Sequence, residues 1–266
     1  MIPRSYLYVP GDQPDKLARA AGRGADALIA DLEDAVAPRH RPAARAAVAA
    51  HLATGTAWVR INADAVADDL AAVAGTPGLA GIVVPKAEPE LLAEVDHALA
   101  GVDVPVLALL ETARGLRRLD AVADSPRVVR LGIGEADLAG ELNLRPGPDR
   151  EELWPIRSDV VVASAAAGLL PPVGPVHTAV RDLSALADTT ERLLRQGFRA
   201  RTAITPAQLP TINAVFTPTE EEIAAAHRAL ARLGDNGVAV DDDGRLLDPA
   251  VVRAAREVLG RVRTGS

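Results

Sequence analysis

Five polar residues recur along this chain at nearly one interval, each at or just beyond the end of a short apolar run. Glu33 closes LIADLED (28–34), Arg60 sits in WVRIN (58–62), Lys86 ends IVVPK (82–86), Glu111 ends LALLE (107–111) and Asp137 lies in GIGEADL (132–138), with steps of 27, 26, 25 and 26 residues between them. One βα unit of an eight-stranded barrel takes roughly that length, because such barrels typically use about 250 residues. Residues fixed at the same phase of successive units project from one end of a closed parallel sheet, the C-terminal mouth where barrel active sites lie.

The apolar runs themselves number eight, at 6–9, 27–32, 58–61, 81–84, 105–110, 128–133, 169–176 and 198–204. Between most of them lie amphipathic stretches of helical length, at 14–23, 42–52, 65–74, 89–99, 154–168 and 183–195. Several runs are apolar throughout rather than alternating, as strands covered on both faces are. Aromatic residues make up only 2% of the chain, so Ala, Val, Leu and Ile must build the core, which suits helices packed closely on parallel strands. The expected fold is an α/β TIM barrel, (β/α)8, over residues 1–235. A short C-terminal helical extension follows at 236–266, a hairpin-like turn through Asp241-Asp242-Asp243-Gly244 and then a helix. A doubly wound sheet is the alternative, but Val9-Pro10-Gly11-Asp12 stands after the first strand where a Gly-x-Gly-x-x-Gly turn would be needed.

Several function classes are excluded or disfavoured. A net charge of −7 and few aromatics give neither the field nor the stacking surface that nucleic acid needs. With no cysteine, thiolate metal sites and cysteine nucleophiles are absent. No apolar stretch approaches a membrane span, and the start lacks the apolar core of a secretion signal, so a cytoplasmic protein is expected.

Glu111 and Asp137, on neighbouring strand ends, form an oxygen pair suited to Mg2+, which is usually held by one or two carboxylates with water and substrate oxygens completing its shell. Together with the cations Arg60 and Lys86 they imply an anionic, oxygen-rich substrate. Glu33 has two readings, an internal partner for a neighbouring cation or a member of the site. Lys86 also has a plain reading, as a residue that solvates a strand end. None of the five histidines is assigned to catalysis.

The strings RSYLYVPG (4–11), ADALIADLEDAV (25–36), VRIN (59–62), VVPK (83–86), LLETARG (109–115), GEADL (134–138) and NAVFTPTEEEIAAA (213–226) resemble, in order and over nearly the whole chain, the citrate lyase beta-subunit-like branch of the HpcH/HpaI aldolase superfamily. The resemblance implies a Mg2+-dependent carbon-carbon lyase, or reversible Claisen-type enzyme, acting on a small 3-hydroxyacyl-CoA of the malyl-, citramalyl-, citryl- or hydroxymethylglutaryl-CoA kind. An acyl-CoA and an oxo acid or ketone would be released. It further implies metal ligation by Glu111 and Asp137, oxyanion stabilisation by Arg60, a mouth shaped by Lys86, and substrate contacts at Gly134 and Ala136. The segment from Arg4 to Gly11, with Arg39 and Arg41, would line a CoA channel. Asp248, in GRLLDPAVVRAA (244–255), would serve as acid/base over a neighbouring subunit's site in a homotrimer or homohexamer. Asp248 ahead of Pro249 is equally a normal helix N-cap.

The chain departs from that family where Ile204-Thr205-Pro206-Ala207-Gln208 replaces the usual Ile-His-Pro-x-Gln, since threonine carries no proton at neutral pH. The seventh strand, with Pro171, Pro172, Gly174 and Pro175, is also unusual. Thioester hydrolysis at the same metal site, a non-catalytic acyl-CoA-binding subunit and an aldolase acting on free acids are the alternative activities.

Overall fold

The computed structural model describes residues 2–233, 238–240, 244 and 246–262. Eight strands, β1 (Ser5–Pro10), β2 (Ala27–Asp31), β3 (Ala57–Arg60), β4 (Leu79–Val84), β5 (Val106–Leu110), β6 (Val128–Ile133), β7 (Leu170–Gly174) and β8 (Ala200–Ala203), close into a barrel in sequence order. Every neighbouring pair is parallel, and β8 returns to β1 through Ser5↔Arg201 to Leu7↔Ala203. This is the TIM barrel that the spacing implied.

The helices are α1 (Pro14–Ala20), α2 (Arg41–Leu52), α3 (Val66–Val73), α4 (Pro89–Ala98), α5 (Ala113–Arg117), α6 (Leu119–Ala123), α7 (Glu135–Glu141), α8 (Trp154–Ala166), α9 (Leu183–Gln196), α10 (Leu209–Phe216), α11 (Glu220–Leu233) and α12 (Pro249–Gly260). Proline opens α1, α2, α4, α8 and α12 within their first two positions, where its missing N–H is one that a helix start leaves unpaired anyway. The short α5, α6 and α7 carry no long amphipathic stretch and escape the periodicity.

Tyr6, Ile29, Val83, Leu107, Leu109, Val173 and Ala200 pack together as a buried cluster, with Trp58 against it. Tyr6 meets Trp58 edge to face at 6.0 Å between ring centroids. Gly81 makes this possible, because a Cβ there would stand 2.4 Å from Trp58 Cζ3. Towards the N-terminal ends of the strands, the buried Arg130 donates to Pro171 O (2.6 Å), Pro3 O (3.0 Å) and Tyr6 Oη (3.2 Å). β7 pairs with β6 only at Arg130↔Leu170 and Gly132↔Val173, with a register shift between them. Pro171 and Pro172 have no N–H to give the ladder, which shortens this strand from the expected 169–176.

The chain divides into two compact units, Met1–Ile212 and Asn213–Ser266. The division falls ahead of the 235/236 boundary expected from sequence, because α11 packs against α12 within the second unit. That unit also holds an antiparallel pair, β9 (Ala239–Val240) and β10 (Leu246–Leu247). Of the expected turn, Gly244 has φ 78°, the left-handed backbone that glycine adopts freely. Asp241, Asp242 and Asp243 lie outside the described residues.

Candidate active site

The C-terminal ends of the strands open into a cavity of about 460 Å3, within the range of small-molecule sites. Arg60, the last residue of β3, stands in register with Asp31, the last of β2. Its Nε and Nη2 donate to the two Asp31 oxygens at 2.7 and 2.6 Å, a bidentate fork that fixes the guanidinium plane. Nη1 donates to Asp34 at 3.1 Å and lies 2.9 Å from Glu33 Oε2 without hydrogen-bond alignment. The Tyr8 ring lies 4.8 Å from Arg60 Cζ. Three of the five guanidinium donors are thus used, and the rest remain for a ligand. Burial works against the Arg60 charge, but the Asp31 bonds and the surrounding carboxylates outweigh it and raise its pKa. Burial also raises the pKa of the Tyr8 hydroxyl, which stays protonated.

Glu111, one residue beyond β5, is only 7% exposed. Burial pushes its carboxyl up to about 7, against the pull of a hydrogen bond from Lys86 N to Oε2 at 3.0 Å, with Glu33 and Asp137 adding repulsion. Gly134 makes room for it: a Cβ at that position would fall 2.4 Å from both Glu111 Cγ and Oε1. Asp137 lies on the first turn of α7 rather than on a strand end. It makes no hydrogen bond or ion pair with any described residue. Both carboxylates line the cavity. Among the described residues no group of three His, Cys, Asp or Glu side chains forms a cage. A buried carboxylate needing a positive neighbour, beside a second carboxylate with no protein partner, fits a hard cation that keeps water and substrate oxygens in its shell, as Mg2+ does.

The remaining expected site residues separate. Gly134 and Ala136 line the cavity with Arg60. Glu33 is partnered by a neighbouring cation, with Oε1 2.5 Å from Lys86 Nζ. Burial disfavours the Lys86 charge, but the Glu33 bond outweighs it and raises the ammonium pKa. Lys86 stands at φ 48° and is not among the residues lining the cavity, which its backbone N–H serves through Glu111. Arg41 begins α2 and pairs with Asp64 at 3.0 Å, away from the cavity lining. Arg4 precedes β1 and pairs with Asp26 at 2.8 Å. It therefore sits at the N-terminal end of the barrel, a strand's length of roughly 20 Å from the mouth, and is not brought to the cavity. In the second unit, Asp248 caps α12 by accepting from Ala250 N (2.8 Å) and Val251 N (3.1 Å). Thr205 donates its N–H to Gln208 Oε1 at 3.3 Å and does not line the cavity.

Sequence reasoning passed over Asp31, Tyr8 and a cluster formed by Glu135, Arg150 and Arg157. Asp31 stood two residues before the chosen Glu33, and the phase of β2 could have found it. Arg150 lies between predicted elements with no periodic signal at all. Its Nε is 2.8 Å from Glu135 Oε2, while Arg157 Nε donates to Glu135 Oε1 at 2.5 Å.

The family model described as HpcH/HpaI aldolase/citrate lyase matches residues 4–206. A (3S)-malyl-CoA thioesterase of Cereibacter sphaeroides is 34% identical, covering 97% of this chain and 94% of the relative. A citrate lyase subunit beta-like protein of Mycobacterium tuberculosis is also 34% identical, over 96% and 94%. Among solved structures, the protein CitE of M. tuberculosis in complex with magnesium, acetoacetate and coenzyme A superposes with a TM-score of 0.80 at 32% identity, covering 97% of each chain.

Proposed function

The chain belongs to the HpcH/HpaI aldolase/citrate lyase family, and we propose that it is a Mg2+-dependent carbon-carbon lyase that cleaves, or forms, a small 3-hydroxyacyl-CoA at the barrel mouth. One observation carries this reading: Glu111 and Asp137 meet in one cavity beside an arginine that is rigidly braced yet keeps donors unspent. Relatives that carry magnesium with coenzyme A or oxaloacetate support it. Bound Mg2+ would supply Lewis-acid polarisation of substrate oxygens.

The chain's own residues do the rest. Glu111 and Asp137 hold the cation. The fork to Asp31 fixes Arg60, so its spare N–H donors meet the oxygen that gains negative charge as the bond breaks, with no reorganisation to make at that moment. Its raised pKa keeps it charged throughout. Backbone at Gly134 and Ala136 lines the place of the acid. Asp248 is the proposed acid/base for the α-carbon of the acyl-CoA, supplied by a neighbouring subunit of a homotrimer or homohexamer. The arginine-bearing rim at Arg39 and Arg41 is the proposed approach for CoA.

Hydrolysis of the thioester is a second reading, favoured by the malyl-CoA thioesterases among the relatives. Incubation with a panel of 3-hydroxyacyl-CoAs, with and without Mg2+, separates the two when CoA species and oxo acids are followed by mass spectrometry. The lyase yields an acyl-CoA with an oxo acid or ketone, whereas the thioesterase yields free CoA and an intact hydroxy acid. Both activities should vanish in E111A and D137A; an acyl-CoA product that persists without Mg2+ would sink the metal-dependent reading.

A further inference from the structure

The cavity changes sign from one side to the other. On the side of β2 to β5, Asp31, Glu33, Asp34 and Glu111 stand against Arg60 and Lys86 alone. On the other side Glu135, 2% exposed, is shared by two guanidiniums, Arg150 through Oε2 and Arg157 through Oε1. Arg201, 3% exposed, has no carboxylate partner among the described residues. It donates instead to Pro175 O, Leu186 O, Thr189 Oγ1 and Thr190 Oγ1. Burial pushes its pKa down to about 9; the Glu135 carboxylate opposes this, and the charges of Arg157 and Arg150 push the same way. Three guanidiniums against Glu135 and Asp137, both on the first turn of α7, leave this wall with an excess of positive charge.

Arg150 is the member that lines the cavity, together with Thr178 and Thr202. It stands at φ 57°, a backbone region uncommon for a residue with a side chain. Its Nε lies 2.8 Å from Glu135 Oε2 as an ion pair without hydrogen-bond alignment, and its terminal nitrogens donate to no described residue. A guanidinium drawn to Glu135 with both terminal nitrogens unspent can meet a carboxylate in the bidentate manner.

We infer that Arg150 receives a second carboxylate on the oxo-acid half of the substrate, so that the site selects a dicarboxylic 2-oxo acid over a monocarboxylic one. This rests on the lyase reading above. A monocarboxylic oxo acid would commit its only carboxylate and its keto oxygen to the cation that Glu111 and Asp137 would hold, leaving Arg150 unmatched. A second carboxylate satisfies both walls at once. A charged, geometrically matched pair of this kind discriminates by roughly 10- to 100-fold.

Calorimetric titration in Mg2+ with pyruvate and freshly dissolved oxaloacetate, which differ by one carboxylate, tests the inference. The wild type should bind oxaloacetate at least 10-fold more tightly. R150M should bring oxaloacetate down to the pyruvate level with pyruvate and CoA affinities kept within about 2-fold, and R150K should recover part of the loss. A circular dichroism melt that R150M shares with the wild type establishes that the change is not one of folding. Equal affinity of the wild type for the two acids overturns the inference, as does an R150M variant that loses CoA or weakens both acids alike. Selective oxaloacetate binding without cleavage of any hydroxyacyl-CoA keeps the subsite and removes the lyase reading; cleavage without selectivity does the reverse. A wild type that binds neither acid removes both.

Discussion

Glu111, the proposed metal ligand, links pH to stability in one side chain. Its pKa in the folded chain, about 7, lies above the ordinary 4.5, so the folded state holds a proton that the unfolded state has released across that interval. A carboxyl raised in this way favours folding below the unfolded pKa, and the contribution is lost as pH rises through the folded value. In chelator-treated protein the melting temperature should therefore fall between about pH 4.5 and 7, a loss of about 3 kcal/mol from this residue. E111Q, which has no proton to lose, should flatten the slope. An unchanged slope in E111Q would mean that the carboxylate is not held dry. Mg2+ should reverse the trend in the wild type, because the ion takes the deprotonated form.

Two element boundaries bear on the proposed function through their geometry. Gly134, where β6 gives way to α7, leaves the space that the Glu111 side chain occupies. G134A should force that carboxylate to move and weaken Mg2+ binding by about 10-fold or more, read by titrating Mg2+ against activity. Equal Mg2+ dependence in G134A and wild type would show that the contact yields freely. At the start of α12, Asp248 accepts from two backbone N–H groups, a cap worth about 1 kcal/mol. Asn caps nearly as well, so D248A should lower the melting temperature and D248N should not. If Asp248 is also the proposed acid/base, both variants lose activity, and D248N does so at full stability. An active D248N leaves the residue as a cap only.

At the scale of the whole molecule, the proposed assembly makes one site from two chains. E111A and D248N should each be inactive, yet a mixture unfolded and refolded together should regain a fraction of wild-type activity, as hybrid oligomers contain some sites with both residues intact. Light scattering should give a multiple of the 27.6 kDa chain mass. A monomer, or a mixture that stays inactive, argues for a site complete within one chain. Among the described residues no helix is long and apolar enough to cross a membrane.

Much of this protein was legible in its sequence because a barrel is periodic: one unit per strand keeps a polar residue in phase with the mouth, and the phase survives without knowledge of any contact. The steps from Glu33 to Asp137 therefore imply the closed parallel sheet and gather Arg60, Glu111 and Asp137 at one end of it. What spacing cannot encode is which partner a buried charge takes. Strand register set Asp31 against Arg60, and the direction of β1 sent Arg4 to the opposite end. Packing against Asn213–Ser266 neighbours gave α11 to the second unit. Arg150 reached the cavity wall from an aperiodic loop, because only the folded chain brings Glu135 to hold it. Burial, the origin of the Glu111 shift, is likewise a property of neighbours distant in sequence, and only the tertiary structure decides it.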